Sequence, residues 1–424
     1  MGDVLSLEAL PARKGDCLIL YFGDRDAPRI AVIDGGPSRV YRKFLKPRLK
    51  DIRVDRGIAD DQPLPIDLMV VSHLDDDHIK GILKLVEAEA EIVAGGVKPR
   101  FVDVHRLWHN SFDDVLGNAA SEMPQVLVAM KQWAAGEDRD DLGEILEDSP
   151  EDDAVLASIG QGRNLRNMIR PLVGEGMQVN SPFRPEDLIQ MTGTDTDVVS
   201  MFGDELKITI IGPMRAEVDR LQREYDRYLE KKNLGVPAAE AFLASFSKDT
   251  SVTNLSSIVM LCAAGGKSVF LTGDARGDKI LNGLEERGLL TDGVSMHVDV
   301  LKVQHHGSPR SSEREFFERV MADHYVFSGN GDHGNPHPAT LDMIAAARNG
   351  APMTFHFTYP IEDIDAKSED YAESRDHHWS REENSLAHWI GQNAAQGSGI
   401  EINASDSRAG IRIDLLEKVE IEAQ

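Results

Sequence analysis

Cysteine is almost missing from this chain. Cys17 and Cys262 are the two in 424 residues, and both fall in apolar, strand-like stretches. They read as buried reduced thiols, which fits a reducing cytoplasm rather than a disulfide scaffold. Long apolar runs are missing too. The longest, Ile258-Val259-Met260-Leu261-Cys262-Ala263-Ala264, is far short of the roughly 20 residues that cross a bilayer, so no membrane association is expected. No basic segment followed by an apolar one opens the chain, so no secretory signal is expected. Met1-Gly2 with Ser6 fits a loose myristoylation pattern, but Ser6 falls where a first strand is expected, and the strand is the reading kept. Basic residues are outnumbered, 46 against 72 acids, for a net charge of −26. That balance argues against broad attraction to polyanions. Aromatics make up 6%, and Trp379 and Trp389 read as core rather than as a base-stacking platform.

With 41% apolar and 28% charged residues the composition is that of a soluble globular protein, long enough for one large domain with insertions or for two. Strands are expected at 3–10, 16–22, 30–34, 67–71 and 101–107, and a helix over 79–88. From 111 to 200 the pattern turns acidic and helix-favouring, with ten acids between Glu137 and Asp153. This reads as a mostly helical insertion. Strand Leu206 to Ile211 follows, then an amphipathic helix carrying Val218, Leu221 and Tyr225. A hairpin (257–262 and 268–272) turns at Gly265-Gly266. A helix over 276–287, strands over 298–304, 325–328 and 353–357, and a helix over 339–348 complete a main domain of 1–360. A C-terminal extension, 361–424, has strand-like pieces near 398–402 and 410–415. The fold class is α/β, with two sheets between helical layers. No fixed-period repeat is present.

The run Ser72-His73-Leu74-Asp75-Asp76-Asp77-His78 directly follows the apolar strand 68–71. So many imidazoles and carboxylates at a strand end need something to offset their repulsion, and a dinuclear metal site is the natural candidate. Other chemistry-bearing groups also stand at or just beyond strand ends: Asp34-Gly35-Gly36, Thr272-Gly273-Asp274, His305-His306-Gly307-Ser308, His337-Pro338 and His109. Arg39, Arg42, Lys43, Lys46, Arg48, Lys50, Arg53 and Arg56 form a basic run after the Asp34 loop. It reads either as a solvated helix face or as a local track for a phosphate backbone. His377, His378 and His388 read as surface residues.

These motifs, in this order, resemble the metallo-β-lactamase superfamily, and within it the ComEC-like branch, named for the nuclease domain of the competence DNA-uptake channel. The shared pieces are Gly15-Asp16, Asp34-Gly35-Gly36, Ser72 to His78, Leu271-Thr272-Gly273-Asp274, Lys302-Val303-Gln304-His305-His306-Gly307-Ser308 and His337-Pro338. They span about 3–110 and 205–345. The resemblance implies an αββα sandwich and two divalent metal ions, Zn²⁺ or Mn²⁺, with Mg²⁺ as a further option. It implies His73 and Asp75 on one metal, Asp77 and His78 on the other, and Asp274 bridging. Later ligands would come from His109, His305, His306 and His337. Asp34 would orient ligands by hydrogen bonds. Asp75 stands where the wider superfamily has a histidine, which shifts preference modestly toward manganese or magnesium. Lys80 stands where the branch has glycine, and could contact a phosphate.

The function so implied is a metal-dependent phosphodiesterase or nuclease, in which a hydroxide bridging both metals attacks phosphorus. Asp77 and His306 would be catalytic, His306 as the acid for the leaving oxygen. The substrate would be single-stranded nucleic acid or a nucleotide. Two alternatives are hydrolysis of a small ester, lactone or thioester on the same site, and a partner-binding protein with a structural metal, docking through the acidic insertion.

Overall fold

Continuous apolar runs mark the strands because both faces of the sheets are covered. A computed structural model of the chain describes residues 3–96, 99–110, 164–184, 188–215, 256–291, 293–395, 397–406 and 409–416. Strands β1 (Asp3–Ala9), β2 (Leu18–Asp24) and β3 (Arg29–Ile33) form an antiparallel meander. Along β2, Ile19 and Tyr21 enter one core while Leu18, Leu20 and Phe22 enter another. Period-two alternation thus feeds two apolar layers from one strand. Ser6 lies buried in β1 and its hydroxyl donates to Asp414, 2.6 Å away.

Beyond β3 the chain turns helical over α1 (Ser38–Val40), a π-helical turn (Tyr41–Leu45) and α2 (Lys46–Asp55). The basic run lies here. Arg48 turns inward to Glu8 at 2.7 Å, while Arg42, Lys43, Lys46 and Lys50 are exposed. Strands β4 (Leu64–Ile66) and β5 (Leu68–Val71) lead to α3 (Asp76–Ala94), then to β6 (Val102–Val104) and β7 (Arg106–His109). A helical stretch at 164–174 precedes β8 (Gln178–Val179). From β3 on, the strands of this sheet run parallel, in the order β3-β5-β7-β8. β4 and β6 pair separately.

The second sheet begins with β9 (Val198–Met201), β10 (Leu206–Gly212), β11 (Val259–Ala264) and β12 (Lys267–Leu271), all antiparallel. β13 (Met296–Lys302), β14 (Val320–Phe327), β15 (Met353–Phe357) and β16 (Ile400–Ala404) then add in parallel. The last strand, β17 (Ile411–Asp414), returns to pair with β1. The segment beyond 360 therefore supplies one edge strand to each sheet.

Three apolar clusters define the layers. One joins helices α1 to α3 and the 164–174 helix to the outer face of the first sheet. The second lies between the sheets and contains Leu68 and Val70 of β5 and the second sheet's Met260, Val269 and Val300. The third covers the outer face of the second sheet with the helices Gly277–Glu286, Pro338–Arg348, Ile361–Ser374 and Leu386–Asn393. The chain is a mixed α/β protein with helices outside two mixed sheets. Cys17 and Cys262 are buried free thiols, and Trp389 packs on Phe355. Among the described residues no helix is long and apolar enough to cross a membrane. The acidic run at 137–153 and the helix expected at 218–229 lie outside the described residues.

Candidate metal centre

The C-terminal ends of β3, β5, β12, β13 and β14 converge on one edge, where open α/β sheets commonly place ligands. At the end of β5, Asp75 takes an extended conformation and α3 starts at Asp76, three residues earlier than the sequence pattern indicates. Asp76, Asp77 and His78 thus form a helical first turn, where the macrodipole favours the acids. That turn is locked against the loop after β3. The Gly35 N–H donates to the His78 carbonyl and the Gly81 N–H to the Gly36 carbonyl, both at 2.8 Å. A Cβ on Gly81 would lie 1.9 Å from the Gly35 oxygen, so glycine is required there. Lys80, one residue earlier, pairs with Asp76 on the same helix.

Asp274, after β12, stands at the centre. His78 Nε2 lies 3.4 Å from its Oδ1. Its Oδ2 has His306 Nε2 at 3.4 Å, His305 Nε2 at 3.8 Å and His73 Nε2 at 3.9 Å. Asp75 Oδ2 is 3.7 Å from His73 Nε2, and Asp77 Oδ2 is 3.9 Å from His306 Nε2. Asp16, His78, Asp274 and His306 form the tightest group, with one ligand atom of each within 4.8 Å of the others, all buried. Such a group could hold a metal ion.

The imidazoles are oriented by their other nitrogen. Asp34 Oδ2 accepts from His78 Nδ1 at 2.9 Å and from the Ser72 hydroxyl at 2.6 Å, while Oδ1 accepts from the Ser72 N–H at 2.7 Å. His73 Nδ1 lies 3.0 Å from the Ser72 hydroxyl, His306 Nδ1 3.1 Å from that of Ser328, and His305 Nδ1 2.7 Å from that of Ser311. What remains is informative. His73 Nε2, His78 Nε2, His306 Nε2 and Asp274 Oδ1 are buried without a hydrogen-bond partner. A buried polar atom left so costs about 1–3 kcal/mol, and four together call for a ligand. Outer-nitrogen hydrogen bonds with inner nitrogens convergent are the arrangement of metal-binding histidines. The donor set, imidazole with carboxylate, suits a divalent cation such as zinc or manganese.

Backbone strain is stored at the same place. Asp34, His305 and His306 all take left-handed conformations, at φ 59°, 47° and 53°. Each costs on the order of 1–3 kcal/mol and persists only where the surroundings impose it.

Charge balance depends on Lys302. Its ammonium is fully buried, 2.5 Å from Asp16 Oδ2, 3.1 Å from the Gly273 carbonyl and 3.7 Å from Asp274 Oδ1. Burial raises the Asp16 carboxyl, but Lys302 and His306 outweigh it and hold Asp16 well below the usual carboxylate range. Burial opposes the charged form of His306 and His78 as well. The Asp274 carboxylate leads the groups that win in both cases, raising His306 to about 8 and His78 well above its ordinary value. His73, held down by burial and His78, falls to about 4.

A metal binding here must displace the protons on His78 and His306. Affinity is therefore expected to climb with pH, by roughly tenfold per unit for each proton displaced, the share of His306 levelling off above about 8. Titrating Mn²⁺ or Zn²⁺ into metal-free protein at pH 6.5, 7.5 and 8.5 checks this; a flat affinity would contradict it.

Of the residues expected from sequence, His73, Asp75, Asp77, His78, Asp274, His305 and His306 are brought together, with Asp34 behind His78. His109 and His337 lie outside the four-residue group. His109 is buried at the end of β7, its backbone bracketed by the Asn180 side chain at 3.0 and 3.1 Å. His337 caps the Pro338–Arg348 helix: Nδ1 accepts from the Ala339 N–H, and Nε2 lies 3.2 Å from the Asn384 amide. Two functional candidates carried no assigned role in the sequence reading, Asp16 and Lys302. The available signal was their place in two motifs of the resemblance, Gly15-Asp16 and Lys302 to Ser308. No family model and no curated protein matches this chain.

Proposed function

We propose that this protein is a metal-dependent hydrolase of phosphodiester bonds, of the metallo-β-lactamase type and closest in motif order to its ComEC-like branch. The observation that carries the reading is the set of buried imidazole Nε2 atoms of His73, His78 and His306, unpartnered and turned toward Asp274. Helices outside two mixed sheets, with the motifs at strand ends, support it. His73, Asp75, Asp77, His78, Asp274, His305 and His306 would hold two divalent ions, with Asp16 close beside His78, Asp274 and His306. When bound, these ions supply Lewis-acid stabilisation of a phosphoryl oxygen and an activated water. The chain's own residues do the rest. Asp34 and Ser72 fix the tautomers of His78 and His73. Lys302 neutralises Asp16. His306, facing Asp274 and Asp77, is better placed as a ligand than as the acid for the leaving group. The two buried thiols suit a reducing cytoplasm.

The test is turnover of single-stranded oligonucleotides by Mn²⁺- and Zn²⁺-reconstituted protein beside Asp77→Ala. Cleavage that weakens with salt and falls at least about 100-fold in the variant is expected. Turnover of lactones or thioesters without cleavage of oligonucleotides would move the assignment to small esters.

A further inference from the structure

A shallow cleft opens over the centre. Asp77, His305 and His306 form one side, and Lys14, His333 and Asn335 line it too. Lys14 Nζ lies 3.3 Å from His333 Nε2. An ammonium only donates, so this nitrogen of His333 accepts. His333 is exposed and lies flat against the Tyr371 ring, with centroids 5.0 Å apart and planes at 13°. The Arg375 guanidinium stands 5.7 Å from the centroid of the same phenol ring.

His333 is held in place at some cost. Its φ of 63° is left-handed, a strain that collects at ligand-binding positions. The turn is tied by Asn330 to Asp332, at 3.0 Å between side chains and 3.2 Å to the Asp332 N–H. It also presses on the helix Ile361–Ser374, where a Cβ on Gly331 would come within 2.1 Å of the Ile364 carbonyl. The His333–Tyr371 stack is therefore preorganised beside the metal centre.

We propose that Lys14 and the His333–Tyr371 stack form the substrate subsite of this enzyme, Lys14 holding phosphate and the stacked rings carrying the adjacent nucleobase. The proposal rests on the phosphodiesterase reading and adds the residues that set its specificity. An ammonium binds phosphate as a point charge, and a chain of net charge −26 needs a local cation to admit an anion. Ring faces bind any base without reading sequence.

The test compares thymidine 5′-(p-nitrophenyl phosphate) with methyl p-nitrophenyl phosphate as substrates of the metal-loaded protein. Calorimetric binding of thymidine 5′-monophosphate is measured alongside. In wild type the nucleoside ester should lead in kcat/KM by about tenfold or more. His333→Ala and Tyr371→Leu should each cut that ratio to near one and weaken binding of the monophosphate about tenfold. Lys14→Gln should weaken the monophosphate to a similar degree. Equal losses on both esters, or monophosphate binding unchanged in all three variants, would overturn the subsite. If neither ester turns over while monophosphate binding still depends on His333, the subsite stands and the phosphodiesterase reading falls.

Discussion

Replacing Asp274 by alanine is expected to abolish metal binding, and with it the proposed hydrolysis, while leaving the fold in place. The carboxylate is the shared neighbour of His73, His78, His305 and His306. Burial tends to raise it, yet His306, His78 and His305 hold it well below the usual carboxylate range, so it is anionic at any working pH. Its removal takes away two oxygen donors and leaves the imidazoles without their main counter-charge, while Lys302 keeps Asp16. The loss should exceed the roughly 10- to 100-fold that follows from changing residues behind the ligands. Stability should change less than activity, because His78 and His306 can release their protons once Asp274 no longer raises them. Metal content by plasma mass spectrometry, with circular dichroism of the same sample, decides it. Full metal content and full turnover in Asp274→Ala would remove Asp274 from the centre.

Lys302→Met should destabilise the metal-free protein by about 3–5 kcal/mol, the usual cost of removing one partner from a buried ion pair. Methionine keeps most of the length of the side chain and deletes the ammonium, with its charge and its hydrogen bond to the Gly273 carbonyl. Asp16 would keep the Ser328 hydroxyl and His306 as partners but lose its cation. Divalent metal brings positive charge into the same cluster, and whatever binds the folded state preferentially stabilises it. The deficit of Lys302→Met should therefore shrink once metal is bound. Urea unfolding of both proteins, with chelator and with excess Mn²⁺, measures this. An equal deficit in both conditions would mean that Lys302 and the metal do not share one electrostatic cluster.

Much of this is written locally in the chain. His73 to His78 are contiguous, and the apolar strand before them announces where they point. β1 to β3 are legible because two covered faces demand uninterrupted apolar residues. Tertiary effects hid the rest. Asp16 reaches the centre only because the loop after β1 folds onto α3, with Gly15 so close that a Cβ would lie 1.7 Å from the Asp77 carbonyl. No spacing in sequence encodes that approach. The start of α3 was obscured because Asp76 and Asp77 look like loop ligands when they are also good first-turn residues. His109 and His337 stand at or near strand ends as the other histidines do, yet the His109 backbone is bound to Asn180 and the His337 ring to Ala339 and Asn384. The polar appearance of 361–374 concealed a helix that buries Ile361, Ile364 and Ala372 along one side.

The most direct measurement is the metal content of the purified protein, before and after reconstitution with Mn²⁺ or Zn²⁺, at pH 8. About two divalent ions per chain, lost in Asp274→Ala, is the predicted result for a dinuclear site. A chain that takes up no metal under these conditions would contradict the account at its centre, and the convergent imidazoles would then need another ligand.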